Sequence, residues 1–232
     1  MKNIRFAYIN NKKIHSFKSK EEILNSVVKK NTILISMNAE AIMSNDKEFE
    51  QIINNNVAFA DGIGAVMALK DKGLDAVKIP GVELWLEIIK RNLEKKTYLI
   101  GSTSEVIEKT TKKLYGHFNG INIVGYHDGY FDETEYLKLE KDILDKDAEI
   151  IFIAIGQPKQ ELIANRLSQK HEAFYMCVGG SFDIYSGVKK RAPKLLLDLH
   201  LEWFYRLLKE PTRFGRQVVL VKFLFLLKSG KI

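Results

Sequence analysis

Val57-Ala58-Phe59-Ala60-Asp61-Gly62-Ile63-Gly64-Ala65-Val66 is the stretch on which the reading of this chain turns. A short apolar run of strand length stops at an aspartate, glycines follow at 62 and 64, and a helical pattern begins at about Ile63. Asp61 is thus predicted at the carboxyl end of a buried strand, where the backbone can come close to a ligand. In open parallel sheets that is the edge at which ligands bind. An Asp in this place can also do no more than cap the next helix, and the rest of the chain has to decide between the two.

The same rhythm recurs on either side. Upstream, Thr32-Ile33-Leu34-Ile35-Ser36 reads as a buried strand running into Met37-Asn38-Ala39-Glu40, and a helix around Phe49, Ile52 and Ile53 leads to Val57. Earlier still, residues 5–17 read as a strand pair turning at Asn10-Asn11. Ser19-Lys20-Glu21-Glu22 reads as a capping box opening a helix to about Lys30. Downstream, a loop through Gly73 to Pro80-Gly81 precedes a helix over about 82–94. Further strands are predicted at 98–100, 121–126, 150–155 and 174–178. They run into Gly101-Ser102-Thr103-Ser104-Glu105 (read as a second capping box), His127-Asp128-Gly129-Tyr130, Gly156-Gln157-Pro158-Lys159-Gln160-Glu161 and Gly179-Gly180-Ser181-Phe182-Asp183. Strands alternating with helices predict an α/β fold with a parallel sheet covered on both faces. Ser36, Asn38, Asp61, Gly62, Gly101, Ser102, Gly156, Gln160, Gly179 and Gly180 then all fall just after a strand, on one edge, where helix N-termini favour a phosphate.

Composition narrows the partners. Hydrophobic residues make up 46% of the 232, enough for a substantial core. Met1-Lys2-Asn3-Ile4-Arg5-Phe6 lacks the apolar run of a signal peptide, and Cys177 is the single cysteine. Together these fit a reducing cytoplasm. The net charge of +7 is unevenly spread: residues 189–232 carry eleven Lys/Arg and three Asp/Glu, while the remainder is close to neutral. Such a tail expects an anionic partner. Leu196, Leu199, Trp203 and Leu207 recur at helical spacing over 193–209, and Pro211 is expected to end that helix. Residues 218–227 are almost wholly apolar but far short of the ~20 a membrane span needs. The pattern fits either a helix lying on an anionic membrane or one completing the core or a homo-oligomer interface.

Several chemistries find no support. Gly62-Ile63-Gly64 starts a dinucleotide fingerprint, but Met67 stands where its third glycine belongs, so a nicotinamide oxidoreductase is a weak alternative. No P-loop sequence is present. His15, His117, His127, His171 and His200 lack metal-ligand spacing. Asp145-Lys146-Asp147 resembles a metal-holding Asp-x-Asp, yet it precedes a strand and falls at the wrong edge, so no metal and no cofactor are expected. A nucleic-acid binder using Trp203, Phe204 and Tyr205 would leave Asp61 and the glycine loops unexplained.

Six blocks in order then carry a resemblance. Phe59-Ala60-Asp61-Gly62-Ile63-Gly64, Pro80-Gly81-Val82-Glu83-Leu84, Gly156-Gln157-Pro158-Lys159-Gln160-Glu161, Gly179-Gly180-Ser181-Phe182-Asp183, Lys190-Arg191-Ala192-Pro193 and Leu201-Glu202-Trp203-Phe204-Tyr205-Arg206 follow one another as in the WecG/TagA/CpsF glycosyltransferases. The resemblance runs from about Thr32 to Gln217. It implies a Rossmann-like α/β catalytic domain, residues 1–192, and a helical C-terminal appendage, residues 193–232, tied to membrane association and catalysis. It implies inverting, metal-independent transfer of a sugar, often N-acetylmannosamine or its uronic acid, from a UDP donor to a polyprenyl-diphosphate-linked acceptor. Wall teichoic acid linkage synthesis is the nearest family example, and the inner face of the cell membrane is the implied location.

By the same resemblance Asp61 matches the base, and Arg206, Arg213 and Arg216 match arginines that stabilise the leaving diphosphate. Gln160 and Asn38 match polar site positions. Ser36 stands where Thr is frequent and Lys78 where Arg is frequent, and a Lys offers a point charge rather than a bidentate fork. Lys159, Glu161 and Asp183 read equally as site residues or structural polar groups.

Overall fold

Phe6–Ile9 (β1) and Lys12–His15 (β2) form an antiparallel hairpin, its turn made by Asn10 and Asn11, both at positive φ. Asn is among the few side chains that enter this region readily. In the computed structural model, which describes residues 4–199, 201–209 and 214–232, the hairpin is the rim of an eight-stranded sheet. The side chains of Asp198, Arg206, Phe214, Arg216 and Gln217 also lie outside the described part.

The parallel strands are Thr32–Met37 (β3), Val57–Ala60 (β4), Thr97–Gly101 (β5), Ile123–His127 (β6), Ile150–Ala154 (β7) and Phe174–Cys177 (β8). With the hairpin they lie in the order β1-β2-β4-β3-β8-β7-β5-β6. This is the Rossmann-like parallel sheet expected, with one antiparallel strand at its edge.

Both faces are covered, as the apolar runs require. Along β3, Ile33, Ile35 and Met37 point to one core and Leu34 to the other; along β8, Tyr175 and Cys177 part from Phe174 and Met176 in the same way. The first core is closed by helices Ala39–Met43 (α2), Lys47–Asn55 (α3), Ile63–Asp71 (α4), Glu133–Lys146 (α7) and Lys159–Ser168 (α8). The second is closed by Lys20–Val27 (α1), Gly81–Arg91 (α5), Ser104–His117 (α6) and Ser181–Ser186 (α9). Trp85 anchors that second core, its ring 5.3 to 5.6 Å from those of Phe152, Phe182 and Tyr185. Helix α2 leaves β3 on one face and α9 leaves neighbouring β8 on the other. Such a divergence opens a crevice beyond the strand ends.

Three more helices follow: Lys194–Asp198 (α10), Glu202–Lys209 (α11) and Phe214–Lys228 (α12). The single helix expected over 193–209 is thus two, and Pro211 lies outside the described residues. Helix α12 has two faces. Phe223, Leu227 and the terminal Ile232 join the first core, while Val218, Val221 and Phe225 are exposed. Phe223 meets α4 at Gly64, where a Cβ would lie 3.0 Å from the ring. Gly64 therefore serves a close helix contact. Among the described residues no helix is long and apolar enough to cross a membrane.

Local details differ from expectation at helix starts. Ser19 Oγ accepts from Glu22 N–H as read, but the Glu22 carboxylate takes the N–H of Lys18, and α1 ends at Val27. The second capping box does not form: Thr103 caps α6, and Glu105 pairs with Lys109 one turn on. Asp132 and Glu135, not singled out in the sequence, form the reciprocal box at the start of α7.

Candidate active site

The parallel register brings the strand-end residues into one row. Ser36 stands beside Phe59 and Met37 beside Ala60, so the chain emerging from β4 lies against the end of β3. Asp61 N–H and Gly62 N–H both donate to the Met37 carbonyl, at 3.0 and 3.3 Å. Asp61 is half-buried, and its Oδ1 accepts the N–H of Gly81, the first residue of α5, at 3.1 Å. The amide at the start of a helix is a placement that suits a negative charge. A Cβ at Gly81 would stand 3.8 Å from Asp61 Oδ2 and 3.9 Å from Ser36 Cβ, so glycine keeps the space beside the carboxylate open. The Pro80-Gly81 block is thus brought to Asp61 from 20 residues away.

Asn38 caps α2, its Oδ1 accepting the N–H of Ala41 at 2.9 Å. Gly62 packs against Asn38, an added Cβ lying 3.2 Å from Asn38 Cβ.

Across the crevice Gln160, 1% exposed, joins two strand ends: its Oε1 accepts from Gly156 N–H at 3.2 Å and Gly179 N–H at 3.0 Å. A Cβ at Gly156, Gly179 or Gly180 would meet nothing within 4 Å, so these glycines present bare backbone to open space. Gly101 is different. Its φ is +134° and a Cβ would fall 2.3 Å from the Ala154 carbonyl oxygen, a close approach only glycine permits. Ser102 Oγ donates to Asp183 Oδ2 at 3.3 Å, and Lys189 Nζ stands 3.8 Å from Asp183 Oδ1.

Two ion pairs tie the chain after α9 to this edge. Lys78 Nζ lies 3.8 Å from Glu202 Oε2 at the start of α11, both side chains about one-fifth exposed (21% and 17%). Arg191 Nη1 lies 2.9 Å from Glu83 Oε1 in the first turn of α5. Lys78 itself precedes Ile79, whose N–H donates to the Ala60 carbonyl at 2.9 Å. The block at 80–84 thus touches Asp61 of 59–64 through Gly81 and the block at 190–193 through Glu83, while the block at 201–206 pairs with Lys78, just before the block at 80–84. The side chains of Arg206 and Arg216, and all of Arg213, lie outside the described residues.

Sequence reading passed over Glu83, Arg191 and Glu202 as individual site residues, although each stands inside a quoted block. It also left out Gln157, whose Nε2 donates to the Ser36 carbonyl at 2.9 Å. No local pattern marks such contacts, because each spans elements far apart in the chain. Asp147 of the Asp-x-Asp-like run ends α7 before β7, at the edge away from the crevice, where it pairs with Lys96. Among the described residues no group of three or more His, Cys, Asp or Glu is arranged to hold a metal.

A Rossmann-like sheet with a carboxylate, paired amides and bare glycine backbone along one strand-end edge places these residues where proteins of the open α/β class bind ligands. The family model of the glycosyl transferase WecG/TagA/CpsF family matches residues 8–231, nearly the whole chain, and the protein belongs to that family. It is accordingly a glycosyltransferase of cell-surface polymer synthesis, working with a sugar donor and a lipid-linked acceptor.

Proposed function

We propose that the protein is an inverting, metal-independent transferase that moves N-acetylmannosamine, or a related hexose or uronic acid, from a UDP-sugar to a polyprenyl-diphosphate-linked acceptor sugar. The observation that carries this reading is Asp61, half-buried at the end of β4, its Oδ1 accepting the N–H of Gly81 from the Pro80-Gly81 block. An acceptor hydroxyl oxygen attacks the anomeric carbon from the face opposite UDP. The new C–O bond forms as the bond to the β-phosphate oxygen breaks, the hydroxyl proton passes to the Asp61 carboxylate, and the electron pair leaves on UDP.

The leaving diphosphate needs positive charge and N–H donors as the bond breaks. Arg206, Arg213 and Arg216 are the proposed source of charge, with Lys78 near the same mouth. Ser36, Asn38, Gly62, Gly101, Ser102, Gly156, Gln160, Gly179 and Gly180 form the proposed donor-binding row. Exposed Leu195, Leu199, Val218, Val221 and Phe225 on a basic appendage support a role for it as the part that rests on an anionic membrane surface at the inner face of the cell membrane.

The test is UDP release from a panel of UDP-sugars with a short-chain prenyl-diphosphate-GlcNAc acceptor, run in EDTA. Acceptor-dependent release from one sugar is expected, and it would name the donor and show metal independence together. Release only after a divalent metal is restored would overturn metal independence; release from no UDP-sugar would overturn the donor.

A further inference from the structure

Beneath the crevice lies a carboxyl group that the reaction above does not use. Glu161, in the first turn of α8, is 0% exposed. Its Oε1 accepts from two amides at once, Gln160 Nε2 at 2.8 Å and Gln157 Nε2 at 3.2 Å. Its Oε2 is buried away from the two amides, and the Cys177 thiol of β8 is the carboxyl group's other hydrogen-bonding neighbour.

An amide side chain has two ends of opposite character, and which end faces where must be set by something. Here one acceptor atom sets both. Because Gln160 Nε2 must point to Glu161, Gln160 Oε1 is turned toward Gly156 N–H and Gly179 N–H. Because Gln157 Nε2 also points there, the same nitrogen reaches the Ser36 carbonyl. The ends of β3, β7 and β8 are in this way tied to a single oxygen.

We propose that Glu161 is the positioning residue of the donor site: as a buried acceptor it orients Gln157 and Gln160, and through them holds Ser36, Gly156 and Gly179 in the spacing a nucleotide-sugar diphosphate requires. The inference rests on reading the crevice as the donor site. What matters in it is the acceptor, not the charge. Burial pushes the Glu161 carboxyl up to about 7, and glutamine copies the protonated acid in shape, with a carbonyl oxygen for the two amides and an N–H₂ in place of the O–H. Methionine keeps the volume and removes the acceptor.

The experiment compares the full-length protein with Glu161→Met and Glu161→Gln in UDP affinity by calorimetry and in amide exchange at Gly156 and Gly179 by NMR. Glu161→Met should speed exchange at both glycines, and weaken UDP, by about tenfold or more, the scale of one orphaned buried hydrogen bond. Glu161→Gln should restore both to near the wild-type values. Unchanged exchange and affinity in Glu161→Met would overturn the proposal, and so would a glutamine variant as impaired as the methionine one. Should Glu161→Met fail to fold, Gln157→Ala removes from the exposed side the arm that reaches the Ser36 carbonyl: weaker UDP binding supports the proposal, and unchanged UDP affinity overturns it. A wild-type protein that does not bind UDP would count against the donor reading alone, and the exchange rates would then decide the role of Glu161.

Discussion

At the sheet edge Ser36 stands in the ladder near the end of β3, Asp61 follows β4 and Gln160 lies in the first turn of α8, each within a residue or a turn of a backbone hydrogen bond that fixes it. The appendage meets the core in two other ways: α12 by burying Phe223 and Leu227, and α11 through the ion pair Lys78–Glu202, with Arg191–Glu83 just before α10. The first arrangement keeps a carboxylate and its hydrogen-bonding row in fixed geometry, as general base chemistry needs. The second joins a charged, partly apolar segment to that row by contacts that can be altered one at a time. On the proposed reading, fixed chemistry and adjustable charge are separated along the chain.

The largest effect should come from the fixed side. Asp61→Asn keeps the acceptor for the Gly81 N–H and removes the base. Turnover is expected to fall about 10²–10⁴-fold, the contribution of a positioned general base, with UDP affinity nearly unchanged by calorimetry. A variant that turns over at close to the wild-type rate would take Asp61 out of the base role and leave the comparison without its catalytic half.

Next is the buried face of the appendage. Phe223→Ala removes a fully buried ring from the contact with Gly64 and α4, and should lower unfolding stability by about 3–5 kcal/mol in denaturant titration. Val221, 67% exposed two residues away on the other face, provides the contrast. Val221→Ala should change stability within about 0.5 kcal/mol and act, if anywhere, on binding to anionic vesicles. Equal destabilisation by the two would show that α12 does not divide its faces between core and surface.

How much of this was legible in the sequence depends on the range of the interaction. Asp61 could be found because a strand, an aspartate and glycines are neighbours in the chain and their periodicity is local. The row of strand-end residues followed from parallel topology. The role of Gly64 could not be read: its reason is Phe223, 159 positions away, and only the packed structure brings the two together. The same holds for Glu161. A Gln-Glu pair at the start of a helix looks solvated, and the burial that makes it an internal acceptor comes from β8 and the loops above it. Helix starts misled for a smaller reason, since Ser102 and Thr103 compete for one cap and the geometry favours Thr103.

The smallest effect should sharpen the adjustable side. Lys78 and Glu202 are each partly shielded and 3.8 Å apart, in the range where an ion pair contributes about 0.2–1 kcal/mol. A double-mutant cycle of Lys78→Ala and Glu202→Ala, read in kcat/KM for the donor, should give a coupling of that size, a few-fold in rate. If the pair only staples α11 to the core, the coupling should appear equally in unfolding stability and Lys78→Arg should restore it in both measurements. If Lys78 also meets the donor diphosphate, Lys78→Ala should raise the donor KM well beyond what Glu202→Ala does, and the excess should not depend on whether Glu202 is present. The cycle therefore separates a latch from a ligand at Lys78, where the core meets α11.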